Sequence, residues 1–266
     1  MRKFIWAIGL LISGLSFGQI KSFIAKEVGG KILSQEGLTF KRHSPASTFK
    51  IVIALMGYDT GILIDEYHPE WPYKEAYQAR LDVWKRFYNP VAWMKNNCVW
   101  YSQLIMQKLG MEKLRSYISH FGYGNQDLSG DPGQNNGLTK SWLDNSLEIS
   151  VEEQVFFIER LLDGKLLVSK RAIEYIHKLL YIGVLPKGWK LFGKNGVGNL
   201  LDEKGDKTAA LGWFVGWIQK DEKRLAFAYY VEGERGVFVV NAQHTREGAK
   251  IRLVELIQQR SIHETK

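Results

Sequence analysis

The chain has 266 residues, 45% hydrophobic and 24% charged, with a formal net charge of +8. This composition excludes a disordered or low-complexity protein and leaves enough chain for one large domain with a sizeable core. The basic residues are scattered, with no run beyond pairs such as Lys41-Arg42 and Lys170-Arg171, so no nucleic-acid partner is expected. The excess charge suits solubility and attraction for anionic small molecules. The one cysteine, Cys98, rules out an intrachain disulfide and reads as a small buried hydrophobe.

Met1-Arg2-Lys3 precedes an apolar run from Phe4 to Phe17, and Ser16-Phe17-Gly18 supplies small residues at a spacing that suits a signal peptidase. The run is too short for a comfortable membrane span, and no cysteine stands at the junction for lipid attachment. A secretory signal over 1–18 is therefore expected, with a mature domain over 19–266, a periplasmic location and no stable membrane anchor. The next short apolar pieces, Ser22 to Lys41, are broken by Gly29-Gly30 and Gly37 and read as strands joined by tight turns.

Ser44-Pro45-Ala46-Ser47-Thr48-Phe49-Lys50 then runs into the apolar Ile51 to Met56, the pattern of a helix opened by proline and ending near Gly57 to Gly61. In a helix Ser47 and Lys50 share one face. A serine hydroxyl becomes a useful nucleophile when a base takes its proton, and a lysine desolvated by apolar neighbours is neutral enough to do so. The same residues also suit a capping serine and a snorkelling lysine, and one Ser-x-x-Lys is weak evidence alone.

Tyr67 to Trp93 is aromatic without clean periodicity and reads as irregular with short helices. Asn97 to Leu109 and Glu112 to Phe121 have helical spacing on either side of Gly110. Gly130 to Gly137 is a turn-rich loop, Ser150-Val151-Glu152-Glu153 is a capping box opening a helix to Leu162, and another helix runs from Ser169 to Leu180. Strands follow at Trp189 to Lys194, at Leu211 to Ile218 and, past a charged turn, at Leu225 to Val231; an amphipathic helix spans Arg246 to Gln259. The order predicts an α+β protein in which one antiparallel sheet, flanked by terminal helices, carries an inserted all-helical lobe, with a cleft between the two.

Ser47-Thr48-Phe49-Lys50, Tyr123-Gly124-Asn125, Trp142-Leu143 and Lys194-Asn195-Gly196 occur in the order and spacing of the class D β-lactamases, the oxacillinases, and the chain resembles that family over essentially its whole mature length. Phe121 to Asp131, Asn135 to Thr139, Glu148 to Ser150 and Gly212 to Trp217 carry the likeness between the motifs. The resemblance implies a β-lactamase/transpeptidase-like fold and a serine enzyme that hydrolyses penicillin-like antibiotics through an acyl-enzyme. It makes Ser47 the nucleophile and Lys50 an N-carboxylated general base, which needs carbon dioxide or bicarbonate and no metal or organic cofactor. It makes Trp142 a donor to that lysine and Val99 part of its apolar lid. Lys194 would attract the substrate carboxylate, and the N–H of Ser47 with one beyond Gly196 would form the oxyanion hole. The expected partner is the β-lactam itself, and the protein is a monomer or homodimer.

Two substitutions depart from the family pattern. Asn97 replaces the hydroxyl of Ser-x-Val, and a carboxamide cannot pass a proton to the leaving nitrogen as a hydroxyl does. Asn195 replaces the hydroxyl of Lys-Thr/Ser-Gly. For the family arginine of the last helix, Lys250 aligns best, with Arg252 or Arg246 as spatial substitutes; a lysine would hold a carboxylate less firmly than a bidentate arginine. The alternative reading is a β-lactam-binding or degenerate homologue that acylates slowly with little turnover. The histidines are isolated, and there is no Gly-x-Ser-x-Gly elbow or Walker loop, so zinc and elbow-serine hydrolases are poorer readings.

Overall fold

A computed structural model of the chain describes residues 21–264, apart from 145, 203 and 237–239, and side chains as far as 259. The expected signal over 1–18 lies outside the described residues. Six strands form one antiparallel sheet: β1 (Lys21–Glu27), β2 (Ile32–Glu36), β3 (Tyr181–Leu185), β4 (Trp189–Leu201), β5 (Lys207–Lys220) and β6 (Lys223–Glu232). Their spatial order is β2-β1-β6-β5-β4-β3, so the first and last thirds of the chain build the sheet together and the helical middle is inserted between them. Its helices are α1 (Lys50–Asp59), α2 (Pro90–Asn96), α3 (Val99–Leu109), α4 (Met111–Phe121), α5 (Gly137–Lys140), α6 (Val151–Leu162) and α7 (Lys170–Leu180). The last helix, α8 (Ala242–Glu264), returns to the sheet.

Alternation along β5 explains how the sheet serves two cores. Trp213, Val215 and Trp217 join the core shared with α1, α3, α4, α6 and α7, while Phe214 and Ile218 pack with Ala249, Leu253 and Ile257 of α8. Helix α8 lies so close that a Cβ on Gly212 would come 2.6 Å from the Thr245 hydroxyl. Local signals fix the helix ends: the Ser150 hydroxyl accepts from the Glu153 N–H while the Glu153 carboxylate accepts from the Ser150 N–H, a box whose loss costs about 1 kcal/mol. The Ser169 hydroxyl accepts from the Ala172 N–H at 3.3 Å and caps α7.

Three elements differ from the sequence expectation. The expected helix from Asn97 begins instead at Val99, because Asn97 takes a left-handed conformation (φ 55°) that closes α2. β4 continues past Lys194 to Leu201, held by its pairing with β5 despite three glycines and two asparagines. β3, which no sequence signal marked, adds an edge strand directly after α7.

Candidate active site

The turn that carries Ser47 is a short 3₁₀ helix, Ala46–Phe49, that runs into α1. Ala46 sits at φ 48°, a left-handed conformation that alanine rarely takes, so the turn holds strain immediately before Ser47. Buried hydrogen bonds hold it there. The Ser44 hydroxyl donates to the Trp142 carbonyl (2.9 Å) and accepts from the Asp144 N–H (3.0 Å), and the Trp213 indole donates to the Ser44 carbonyl (2.9 Å). Thr48 Oγ1 donates to the Pro45 carbonyl at 2.7 Å and accepts from Gln154 Nε2 at 3.0 Å. Asp144 in turn accepts from the Asn199 backbone and side chain of β4 (2.8 and 2.7 Å), which closes the frame.

Within this frame Lys50 Nζ lies 3.4 Å from Ser47 Oγ. Lys50 is wholly buried while Ser47 is only partly so, which leaves the hydroxyl open and the amine enclosed. Burial lowers the Lys50 pKa to about 8, only partly offset by the Cys98 thiol. Cys98 itself is pushed up to about 12 by burial and stays a neutral thiol near pH 7. A neutral Lys50 can accept the Ser47 proton, so the contact runs from hydroxyl to amine in the reactive form.

The strand β4 brings the remaining groups. A Cβ at Gly196 would sit 3.0 Å from the backbone nitrogens of both Ser47 and Thr48, so glycine lets the strand lie against the turn that carries Ser47. Lys194, 3% exposed, donates to Asn97 Oδ1 at 2.6 Å and to the Asn195 carbonyl and side-chain oxygens at 2.9 and 3.2 Å. Burial, then the charge of Lys50, holds its pKa well below the usual lysine value. Trp142 stacks on Phe49 with ring centroids 5.3 Å apart. Its indole nitrogen, like Ser141 Oγ and the more distant-in-sequence Trp217 Nε1, is buried with no hydrogen-bond partner among the described residues.

Ser47, Lys50, Trp142, Asn97, Lys194, Asn195 and Gly196 are thus linked through direct contacts or shared neighbours. Val99 is half-buried at the first turn of α3, next to Cys98. Lys250 pairs with Glu247 on its own helix at 3.0 Å, as Arg246 does at 3.7 Å. A cavity of about 360 Å³ has Lys194, Asn195 and Arg246 in its wall; Arg246, one turn closer to the start of α8, is one of the two spatial substitutes named from the sequence. Sequence reasoning also passed over Ser44, Asp144 and Gln154. Gln154 alone carried a usable signal, a polar residue on the apolar face of α6. Among the described residues, no group of three His, Cys, Asp or Glu side chains could hold a metal ion, and no helix is long and apolar enough to cross a membrane.

The penicillin-binding-protein transpeptidase domain matches residues 21–250 of the chain. Beta-lactamase OXA-9 of Klebsiella pneumoniae is 36% identical over 240 residues, 89% of this chain and 87% of that protein. The chain belongs to the class D β-lactamase family. OXA-1 β-lactamase of Escherichia coli is 35% identical over 207 residues, 77% of this chain and 72% of that one. The crystal structure of the class D β-lactamase OXA-427 superposes with a TM-score of 0.85 at 36% identity, over 90% of this chain and 99% of that one.

Proposed function

We propose that this class D β-lactamase is an exported enzyme that opens the amide of penicillin-like antibiotics through an acyl-Ser47 intermediate, with a carboxylated Lys50 as general base. The observation that carries the reading is Lys50 itself: a wholly buried amine, 3.4 Å from an accessible serine, with a pKa lowered to about 8. A buried lysine with so few polar contacts is costly in a protein that has no use for it. The neutral fraction that burial creates can add carbon dioxide, and the buried Trp142 indole N–H, otherwise unpaired, supports a nearby anionic acceptor. Carboxylated, Lys50 would present an anionic oxygen base that reaches further than the amine and needs no deprotonation near pH 7.

The chain's own groups do the rest. Ser47 Oγ attacks the lactam carbonyl, and the Ser47 N–H with a backbone N–H beyond Gly196 receives the developing oxyanion. Lys194 and Arg246 give the cavity a cationic wall for the carboxylate that penicillins carry, and Arg246 offers the bidentate fork. We read residues 19–266 as one penicillin-recognising domain, and the charged and apolar start of the sequence supports export to the periplasm.

Turnover of a chromogenic cephalosporin, measured after carbon dioxide removal and again with added bicarbonate, tests the reading. Hydrolysis that bicarbonate restores is expected. The second reading, a protein that acylates but hardly turns over, is favoured by Asn97 in place of the family hydroxyl. A stable penicillin adduct on intact mass, without steady hydrolysis, would select it.

A further inference from the structure

The turn around Ser47 is strained and has to be held. Ala46 stands at φ 48°, and its N–H reaches Ser44 Oγ at only 3.4 Å, so the well-anchored Ser44 ties the turn loosely on the side before Ser47. On the side after Ser47 the hold is tighter. The Pro45 carbonyl accepts from the Thr48 N–H at 3.1 Å and from the Thr48 hydroxyl at 2.7 Å, two bonds that close the turn across Ser47. Gln154 Nε2 donates to the same hydroxyl oxygen at 3.0 Å, and Gln154 Oε1 accepts from the Tyr123 hydroxyl at 3.5 Å. Thr48, Tyr123 and Gln154 are all buried, so their polar groups depend on one another for partners.

This chain of donors has one direction. Tyr123 donates to the amide oxygen, the amide nitrogen donates to Thr48 Oγ1, and the Thr48 proton is left to point at Pro45. The helix that supplies Gln154, α6, is itself locked to the stretch before the turn. His43 and Ile149 exchange backbone hydrogen bonds at 3.0 and 2.9 Å, and Thr39 Oγ1 donates to Glu152 at 2.6 Å. A fixed helix thus sends one polar side chain from its apolar face to the residue that follows Ser47.

We propose that Gln154 is a positioning residue for the acylation of Ser47. Its donation to Thr48 Oγ1 commits the Thr48 proton to the Pro45 carbonyl, which holds Ser47 Oγ near Lys50 and the Ser47 N–H against β4. The inference rests on the β-lactamase reading above. Lys50 Nζ is 3.4 Å from Ser47 Oγ, at the long end of a hydrogen bond, so relaxation of Ala46 toward an ordinary φ leaves little margin for proton transfer. The same relaxation shifts the Ser47 N–H, which the close approach of Gly196 sets against β4. Gln154 is buried out of a substrate's reach, so its effect falls on the rate of the step and not on substrate binding.

Stopped-flow acylation by benzylpenicillin, resolved into a rate constant at saturation and a binding constant, tests the assignment, with the melting temperature recorded for each variant. Gln154→Met keeps the length of the side chain and removes the donor. It should lower the acylation rate constant by about 10- to 10²-fold and change the binding constant by less than about 3-fold. Thr48→Val, which loses the hydroxyl, should match it, and the double variant should lose no more than either single one, because all three break one chain. Thr48→Ser keeps the hydroxyl and should come within about 3-fold of the wild-type rate constant. A Gln154→Met protein that melts earlier yet acylates at the wild-type rate would make Gln154 structural only and overturn the inference. So would losses that multiply in the double variant, or a loss confined to the binding constant. Should Gln154→Met not fold, the two Thr48 variants decide, and equal rate constants in them would overturn it. A folded wild type that benzylpenicillin never acylates would instead overturn the β-lactamase reading itself, and this inference with it.

Discussion

Lys50 and Lys194 are both buried lysines in one site, yet their surroundings differ sharply. Lys50 emerges from α1 into apolar core, with the Ser47 hydroxyl at 3.4 Å as its one hydrogen-bond partner among the described residues. Lys194 stands on a strand with three oxygen acceptors within 3.2 Å. Burial lowers both pKa values, but only the second lysine is offered partners that reward the charged form. The lesson is that burial alone does not make two lysines equivalent: the acceptors around each amine differ even where both pKa values fall.

Removing the Ser47 hydroxyl should give the largest effect. Ser47→Ala should lower turnover by about 10³-fold or more and abolish the penicillin adduct on intact mass, with the melting temperature little changed. An adduct that survives would remove Ser47 from the chemistry. Lys50→Met should slow acylation by about 10²–10⁴-fold, as expected for a lost general base.

The same substitution separates the two lysines in stability. Lys50 has a folded pKa of about 8 against 10.5 for the ordinary side chain, so keeping it buried at pH 7 costs about 3 kcal/mol. That cost is full below pH 8, fades as pH rises and is gone above 10.5. Lys50→Met should therefore stabilise the protein at pH 7 and lose the gain in alkali, as denaturant titrations at both pH values would show. Lys194→Met removes a burial cost of the same sign but also leaves three acceptors without their donor, a loss of about 1 kcal/mol set against that gain. Matching stability changes in the two variants would erase the distinction drawn here.

Activity should also follow Lys50 with pH. Below about pH 8 the amine is increasingly protonated and cannot take up carbon dioxide, so turnover should fall on the acid side and recover with bicarbonate. The smallest effect belongs to Trp142→Phe, which keeps the ring stacked on Phe49 but removes the unpaired N–H. About a 10-fold loss of turnover is expected, largely reversed by raising bicarbonate, since a hydrogen bond to a charged group is worth about 1.5–3 kcal/mol.

Much of the architecture was legible because local signals and global pattern agree. The Ser150 box, the Gly110 break between two helices and the hairpin of β5 with β6 each read correctly from the residues. β3 was not legible, since Tyr181 ends α7 and starts the strand with no turn residue between them. The extension of β4 was hidden by Lys194-Asn195-Gly196-Val197-Gly198-Asn199, whose weak strand propensity is overridden by pairing with β5. In the site, the motif order named the participants, but the contact between Asn97 and Lys194 joins residues 97 positions apart and depends on the left-handed turn at Asn97. The position of Arg246 beside Lys194 likewise depends on where α8 begins, which the periodicity placed at Arg246 and the structure places at Ala242.

Carbon-13 NMR of the protein in labelled bicarbonate tests most directly whether the two buried lysines divide the work as described. The account predicts one carbamate resonance that persists in Lys194→Ala, disappears in Lys50→Ala and fades on acidification below about pH 8. A resonance that survives Lys50→Ala, or steady turnover by a wild type with no resonance at all, would contradict it.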